Sequence, residues 1–240
     1  MSCDITPTAP IHLPARDPYR PVVAVDIDRV LRVAGPLEDE AAPVFIEAPI
    51  TYRRDAYPTA YHGQPPWDEG DEYRATESFS FFGIAWVRSL VARGFDVVWA
   101  TTWQEHANTY FADVFGIPPL PNAMVHVGPS RQYGSAEWKL YNLVRGFEGR
   151  PVLWVDDRMP MFDFVDARPA PDRALTRFQH IRGRFGITEQ DVADMEGWLD
   201  LAGNKTGHGI LRQERSDQLA RTRQAQARLA AAHSQSVTYF

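Results

Sequence analysis

Residues 22–30, VVAVDIDRV, constrain the fold of this chain more than any other stretch. Val22, Val23, Ala24 and Val25 form a short unbroken apolar run, the pattern of an interior strand in a parallel sheet covered on both faces. Asp26 and Asp28 follow directly. At strand periodicity their carboxylates leave the same side of the backbone, and the end of a strand is where open α/β sheets hold ligands. Like charges that close need compensation, and a divalent cation is the compensation expected.

The stretches that follow supply the rest of such a sheet. FFGIAWVRSLVARG, beginning at Phe81, carries a helical apolar stripe that Gly94 stops. FDVVWA at 95–100 is a second apolar strand ending at Thr101 and Thr102. Thr102 is expected to cap the next helix, WQEHANTYFADVF, with Glu105 in the capping-box position and Gly116 as terminator. MVHV at 124–127 predicts a third strand. Ser135 caps AEWKLYNLVRGF, and VLWV at 152–155 runs into Asp156 and Asp157. ALTRF at 174–178 predicts a fifth strand, and ITEQDVADMEGWLDL at 187–201 a helix. Strands ending in polar residues with helices between them give a doubly wound α/β fold.

Around this frame lie three other segments. Residues 1–20 are a proline-rich lead-in. Residues 35–78 hold six prolines and clustered acids; because so long a structureless loop is unusual inside a compact domain, they are expected to form a small cap-like insertion, with a strand or hairpin at 44–52. Residues 202–240 form a polar, alanine-rich tail with a local charge of +4, expected to be partly helical, across 210–232, or disordered.

With 240 residues, 44% hydrophobic, the chain can build one substantial core over 21–201. Its single cysteine, Cys3, excludes an internal disulfide framework and any cysteine-rich metal site. No signal-peptide pattern or 18-residue apolar span is present, so the expectation is a cytoplasmic protein that does not enter membranes. A net charge of −6 weighs against broad polyanion binding, but not against a phosphorylated small molecule or a nucleic-acid end. Nothing in the sequence fixes an oligomeric state.

If the strand ends converge, one crevice holds Asp26, Asp28, Thr101, Asp156 and Asp157, with Lys139 reaching in from its helix. Paired carboxylates with oxygen-donating neighbours suit Mg2+, and a lysine and a hydroxyl beside them would orient phosphoryl oxygens. Thr102 is weighed as a phosphate ligand and favoured as a helix cap. His106 and Asn108 are assigned to the surface or local packing. Trp99, Trp103, Trp138 and Trp154 are assigned to core or cleft wall, and Tyr52, Arg53 and Arg54 are lesser candidates for substrate contact.

This arrangement resembles the haloacid-dehalogenase-like (HAD) superfamily over residues 20–200, through VVAVDIDRVL, WATTW at 99–103, Lys139 within SAEWKLYNL, and VLWVDD at 152–157. WATTW, the PPLP stretch, WKL and LWVDD resemble the compact HAD domains of bacterial RNA-repair proteins and their standalone relatives. The resemblance implies a Rossmann-like three-layer core and a magnesium-dependent phosphomonoesterase. Its substrate would be a small phosphorylated metabolite, a nucleotide or a nucleic-acid end. By resemblance, Asp26 would attack phosphorus and bind Mg2+. Asp28 would serve as acid and base, its backbone carbonyl on the metal. Thr101 would bind phosphoryl oxygens, Lys139 would balance charge, Asp156 would complete the metal shell, and Asp157 would bind a metal water or orient Lys139. The family usually has glycine after the second acid, where this chain has Arg29. That side chain either changes the turn, blocks phosphate or adds a guanidinium clamp. The alternatives are a non-catalytic domain that binds a phosphorylated ligand or partner, and a nucleic-acid end-processing phosphatase.

Overall fold

A computed structural model of the chain describes residues 17–34, 44–54, 70–104, 106–124, 135–182 and 184–237, with side chains to residue 230. Most of the lead-in, Glu105, residues 125–127 of the expected third strand, and residues 35–43 and 55–69 of the insertion lie outside the described residues.

Four parallel strands form the central sheet: β1 (Val22–Val25), β5 (Asp96–Trp99), β6 (Val152–Asp156) and β7 (Thr176–His180). Their order is β5-β1-β6-β7. β1 is paired on both sides, Val25 lying level with Trp99 and Val155, and all four of its residues are fully buried. Its continuous apolar run is therefore explained by cover on both faces. β7 begins two residues later than the sequence suggests, because Ala170–Leu175 are wound into a 3-10 helix before it. On the outer side of β5, Asn122 forms a parallel bridge with Trp99.

Alternating side chains enter two cores. Val23, Val25, Val97, Trp99, Leu153 and Val155 pack with α1 (Phe81–Ala92) and α5 (Glu189–Ala202). Val22, Ala24, Val98, Val152 and Trp154 pack with α3 (Ala136–Gly146) and α4 (Phe164–Ala167). The result is a three-layer, Rossmann-like α/β architecture. Ser80 and Ser135 cap α1 and α3 through their hydroxyls.

The expected helix after β5 does not start at Trp103. Turns at Thr101–Gln104, with Gln104 at φ 52, precede a π-helical segment, Asn108–Ala112, and the short α2 (Asp113–Phe115). Among the described residues Thr102 therefore caps no helix: helical winding begins at His106, beyond the turn that places Trp103. Asn108 does serve local packing. Its Oδ1 accepts from Trp99 Nε1 at 2.8 Å and from the Leu120 amide at 2.9 Å.

A second, antiparallel sheet follows β1 in the chain: β2 (Arg32–Val33), β3 (Phe45–Arg53) and β4 (Glu72–Ser80), in the order β2-β4-β3. The strand at 44–52 is thus present as β3, and its partner β4 lies in a part of the insertion to which the sequence assigns no element. This sheet packs on the segment after β5, with Tyr52 stacked on Trp103 at 5.6 Å and the Arg53 amide donating to Tyr110 Oη at 3.0 Å.

The tail takes the helical form over a longer span than expected, as α6 (Lys205–Val237). It is anchored by buried Gly207, His208 and Leu211, whereas residues 216–230 are exposed on every side. Among the described residues, no helix is long and apolar enough to cross a membrane.

Candidate metal and phosphoryl site

The chain runs from β1 outward to β5 and returns across the sheet to β6, so strand order reverses between β1 and β6. Crevices at such a reversal, at the carboxyl ends of the strands, are where open α/β sheets bind ligands. Asp26 leaves β1 there and Asp156 ends β6 beside it, the Asp26 amide donating to the Val155 carbonyl at 3.0 Å. Both acids continue the face of Ala24 and Trp154, which is the face α3 covers.

Lys139 comes from α3. Its Nζ lies 2.8 Å from Asp26 Oδ2 and 2.8 Å from Asp156 Oδ2, and all three residues are almost fully buried. Trp154 Nε1 donates to Asp156 Oδ2 at 3.1 Å, and the Arg158 amide donates to Asp156 Oδ1 at 2.9 Å. Burial alone would lower the Lys139 pKa, yet Asp156 and Asp26 outweigh it and hold the ammonium well above the usual lysine range. Burial pushes the Asp156 carboxyl up despite Lys139.

One oxygen each from Asp26, Asp156 and Asp157 lies within 4.8 Å of the others. Three carboxylates share one buried ammonium, with Arg29 only at the rim, so the cluster is short of positive charge. Among the described residues, Asp26 Oδ1 is buried without a hydrogen-bond partner. An all-carboxylate donor set, an orphaned buried oxygen and a shortage of positive charge are together what a hard divalent cation satisfies, so the residues fit a divalent metal such as Mg2+. Asp157, whose carboxyl is pushed up by burial and by Asp26, has Arg29 Nη1 3.8 Å from its Oδ2.

Arg29 adopts φ 61, the left-handed conformation that glycine takes without strain. The turn therefore forms with a side chain at this position, at a cost of about 1–2 kcal/mol. The Arg29 side chain is 69% exposed and lies at the rim beside Asp157.

Asp28 is not one of the three clustered acids. β1 ends at Val25, and the amides of Leu31 and Arg32 both return to the Ile27 carbonyl. This turn carries the Asp28 carboxylate away from Lys139 and toward the second sheet. Asp28 Oδ1 accepts from Arg32 Nε at 2.8 Å and Nη2 at 2.7 Å; Oδ2 accepts from Trp103 Nε1 at 2.9 Å. Arg32 Nη1 reaches Glu77 Oε1 and Tyr52 Oη, both at 3.2 Å, and Tyr52 Oη donates to Glu77 Oε1 at 2.7 Å. Burial raises the Asp28 pKa, Arg32 opposes the rise, and Asp26 adds to it. The two acids of the DxD thus have separate cationic partners, Lys139 and Arg32.

Arg32 and Glu77 were not among the residues singled out from sequence, and Trp103 was read only as a wall. The signal for Glu77 was available in the alternation Tyr73, Ala75, Glu77, Phe79 of β4. Thr101 is fully buried just past β5, where the Ala100 amide donates to the Val25 carbonyl at 2.9 Å. Its Oγ1 accepts weakly from the Trp103 amide at 3.4 Å. Thr102 is half-buried beside it. At the opposite, amino-terminal edge of the sheet, Asp96 is paired with Arg20 and Arg150, a structural tie.

Comparison with protein-family models, with curated proteins and with solved structures finds no match in any of the three.

Proposed function

We propose that the chain is a HAD-like, magnesium-dependent phosphomonoesterase. Its substrate is a small phosphorylated metabolite, a nucleotide or a nucleic-acid end, and the second sheet serves as a small cap. The observation that carries this reading is Asp26 itself. One of its oxygens is fixed by Lys139 and the other is unpartnered among the described residues, in a cluster of carboxylates short of positive charge. An oxygen held in low dielectric with no donor is a poised nucleophile.

Asp26 and the carboxylates of Asp156 and Asp157 would hold the cation, with the backbone carbonyl of Asp28. Once bound, the cation would neutralise phosphoryl oxygens. In the first half-reaction one carboxylate oxygen of Asp26 bonds to phosphorus as the bond to the leaving oxygen breaks, and a proton from Asp28 goes to that oxygen. In the second, water bonds to phosphorus, its proton returns to Asp28, and the bond to Asp26 breaks to release phosphate. Asp28 Oδ2 accepts only the Trp103 indole N–H among the described residues, so one lone pair remains for the transferred proton. The raised pKa of Asp28 suits that role. Lys139 holds Asp26 in place, Thr101 donates to a phosphoryl oxygen, and Arg29 stands at the mouth as a guanidinium for substrate phosphate.

The test is release of phosphate from a panel of monoesters with Mg2+ present. Asp26→Asn is expected to lower the rate by on the order of a thousandfold or more. Full turnover in that variant would end the nucleophile assignment.

A second reading, binding of a phosphorylated ligand without hydrolysis, is favoured by the three donors that already engage Asp28 and stabilise it as an anion. Tight Mg2+-dependent binding of a phosphate analogue, with no product from any monoester, would select it.

A further inference from the structure

A cavity of about 720 Å3 lies away from the acid cluster, between α6, the edge strand β7 and the loop that follows β6. That volume is in the range of small-molecule sites, about 300–1,000 Å3. Four arginines line it, Arg173, Arg177, Arg215 and Arg221, against two acids, Asp163 and Glu214, a local charge of +2.

These guanidinium groups are weakly compensated. Among the described residues, only Arg215 of the four has an ion-pair partner, Asp166 at 2.7 Å, and its Nε is still buried without a hydrogen bond. Arg173 is held by a bond from Nε to the Arg168 carbonyl, and Arg177 by bonds to the Asp194 carbonyl and Gln179 Oε1. A guanidinium has five N–H donors, so these anchors position both side chains and leave donors over. Burial holds the Arg177 pKa below the usual arginine range, which an anion nearby would relieve.

The remaining wall is apolar and aromatic, with Phe162, Phe164, Phe178 and Trp198 among its residues. Phe162 is 65% exposed and lies in one loop with exposed Met159 and Met161, a clustering of apolar surface that marks interaction sites more than a single exposed ring does. Guanidinium forks match phosphate oxygens in pairs, and an exposed ring stacks on the face of a base.

We propose that this cavity is a nucleotide-binding site distinct from the acid cluster, phosphate on the arginines and base against the Phe162 side. The nucleotide is either free or a unit of a single strand. The site shares the loop after Asp157 with the acid cluster but does not depend on the chemistry proposed there.

The experiment is calorimetric titration of the full chain with AMP, adenosine, inorganic phosphate, oligoadenylate and polyglutamate, with chelator present so that no divalent cation recruits phosphate to the acid cluster. AMP is expected to bind at least about tenfold more tightly than adenosine or phosphate alone, since each lacks one of the two contacts. Phe162→Ala and Arg221→Gln, both exposed positions that leave the core intact, should each weaken AMP about tenfold. Asp26→Asn should bind as the parent does. AMP as tight as oligoadenylate marks a free-nucleotide site; tighter, salt-sensitive oligoadenylate binding marks a strand site. The proposal is overturned if neither nucleotide ligand binds, if both cavity variants bind as the parent does, if Asp26→Asn abolishes binding, or if polyglutamate binds as tightly as AMP.

Discussion

At the scale of single residues, Lys139 decides whether the site can exist in a folded chain. Two carboxylates lie 2.8 Å from its ammonium, out of water. Removing one partner of a buried ionic cluster leaves uncompensated charge, which costs about 3–5 kcal/mol. Lys139→Met is therefore expected to lower stability in urea by about that amount, and added Mg2+ to recover part of the loss. A loss that Mg2+ does not touch would argue against a cation site at these acids. Protons report on the same cluster. Burial raises the Asp156 carboxyl from its ordinary 3.8 to about 7, and burial raises Asp28 and Asp157 in the same direction. A raised acid binds its proton in the folded state at a pH where the unfolded chain has lost it. Between about pH 4 and pH 7 the folded state thus holds more protons, and stability without metal falls as pH rises through that window. A bound cation favours the ionised acids and opposes the trend. Urea midpoints at about pH 5 and pH 7.5 should decline in chelator and converge in Mg2+; a rise in chelator contradicts the assignment.

At the scale of elements, the second sheet is tied to β1 through one arginine. Arg32 bonds Asp28 on one side and Glu77 with Tyr52 on the other, linking the turn after β1 to β3 and β4. Arg32→Leu strands two carboxylates that are each about one-fifth exposed, and is expected to cost about 2–3 kcal/mol. If Asp28 transfers the proton, the same variant also moves the alkaline limb of the pH–rate profile to higher pH, because the cation opposing its raised pKa is gone. An unchanged profile with reduced stability would make Arg32 structural only. These elements differ in how legible they were. β1, β5 and β6 announce themselves because a strand buried on both faces carries an unbroken apolar run, with acids only at an end, Asp96 in β5 and Asp156 in β6. β4, EYRATESFS, hides its alternation behind a glutamate on the inward side, and that inward glutamate is the one that anchors Arg32. The segment after β5 looks like one capped helix from Trp103 onward. Its chain instead breaks at Gln104, because Trp103 must bring its indole N–H to Asp28, and Asn108 spends its amide on Trp99 and Leu120. In both places a tertiary contact overrides the local pattern, and a sequence carries that contact in no short window.

At the scale of the whole molecule, charge and support are unevenly shared. The tail from residue 202 carries +4 in a chain of net −6, leaving −10 on the remainder. The strand ends that meet at the acid cluster could be read from sequence because each closes an apolar run with a polar residue. The direction in which α6 leaves the body could not, because nothing on its outer half is apolar enough to specify a packing partner. Its hold is short and specific. A Cβ on Gly207 would lie 2.1 Å from the Leu201 carbonyl oxygen, so the first turns of α6 dock against the end of α5 only where a side chain is missing. Gly207→Ala is expected to lower stability by about 1–3 kcal/mol through overpacking. Ending the chain after Thr222, by contrast, removes residues that are exposed from 223 to 230 and should leave the urea midpoint unchanged, because an isolated polar helix adds little to the folded body. Both outcomes are read from the same pair of unfolding curves. A midpoint lowered by the truncation would mean that the outer half of α6 rests on something, and that the helix is supported along its length and not only at its root.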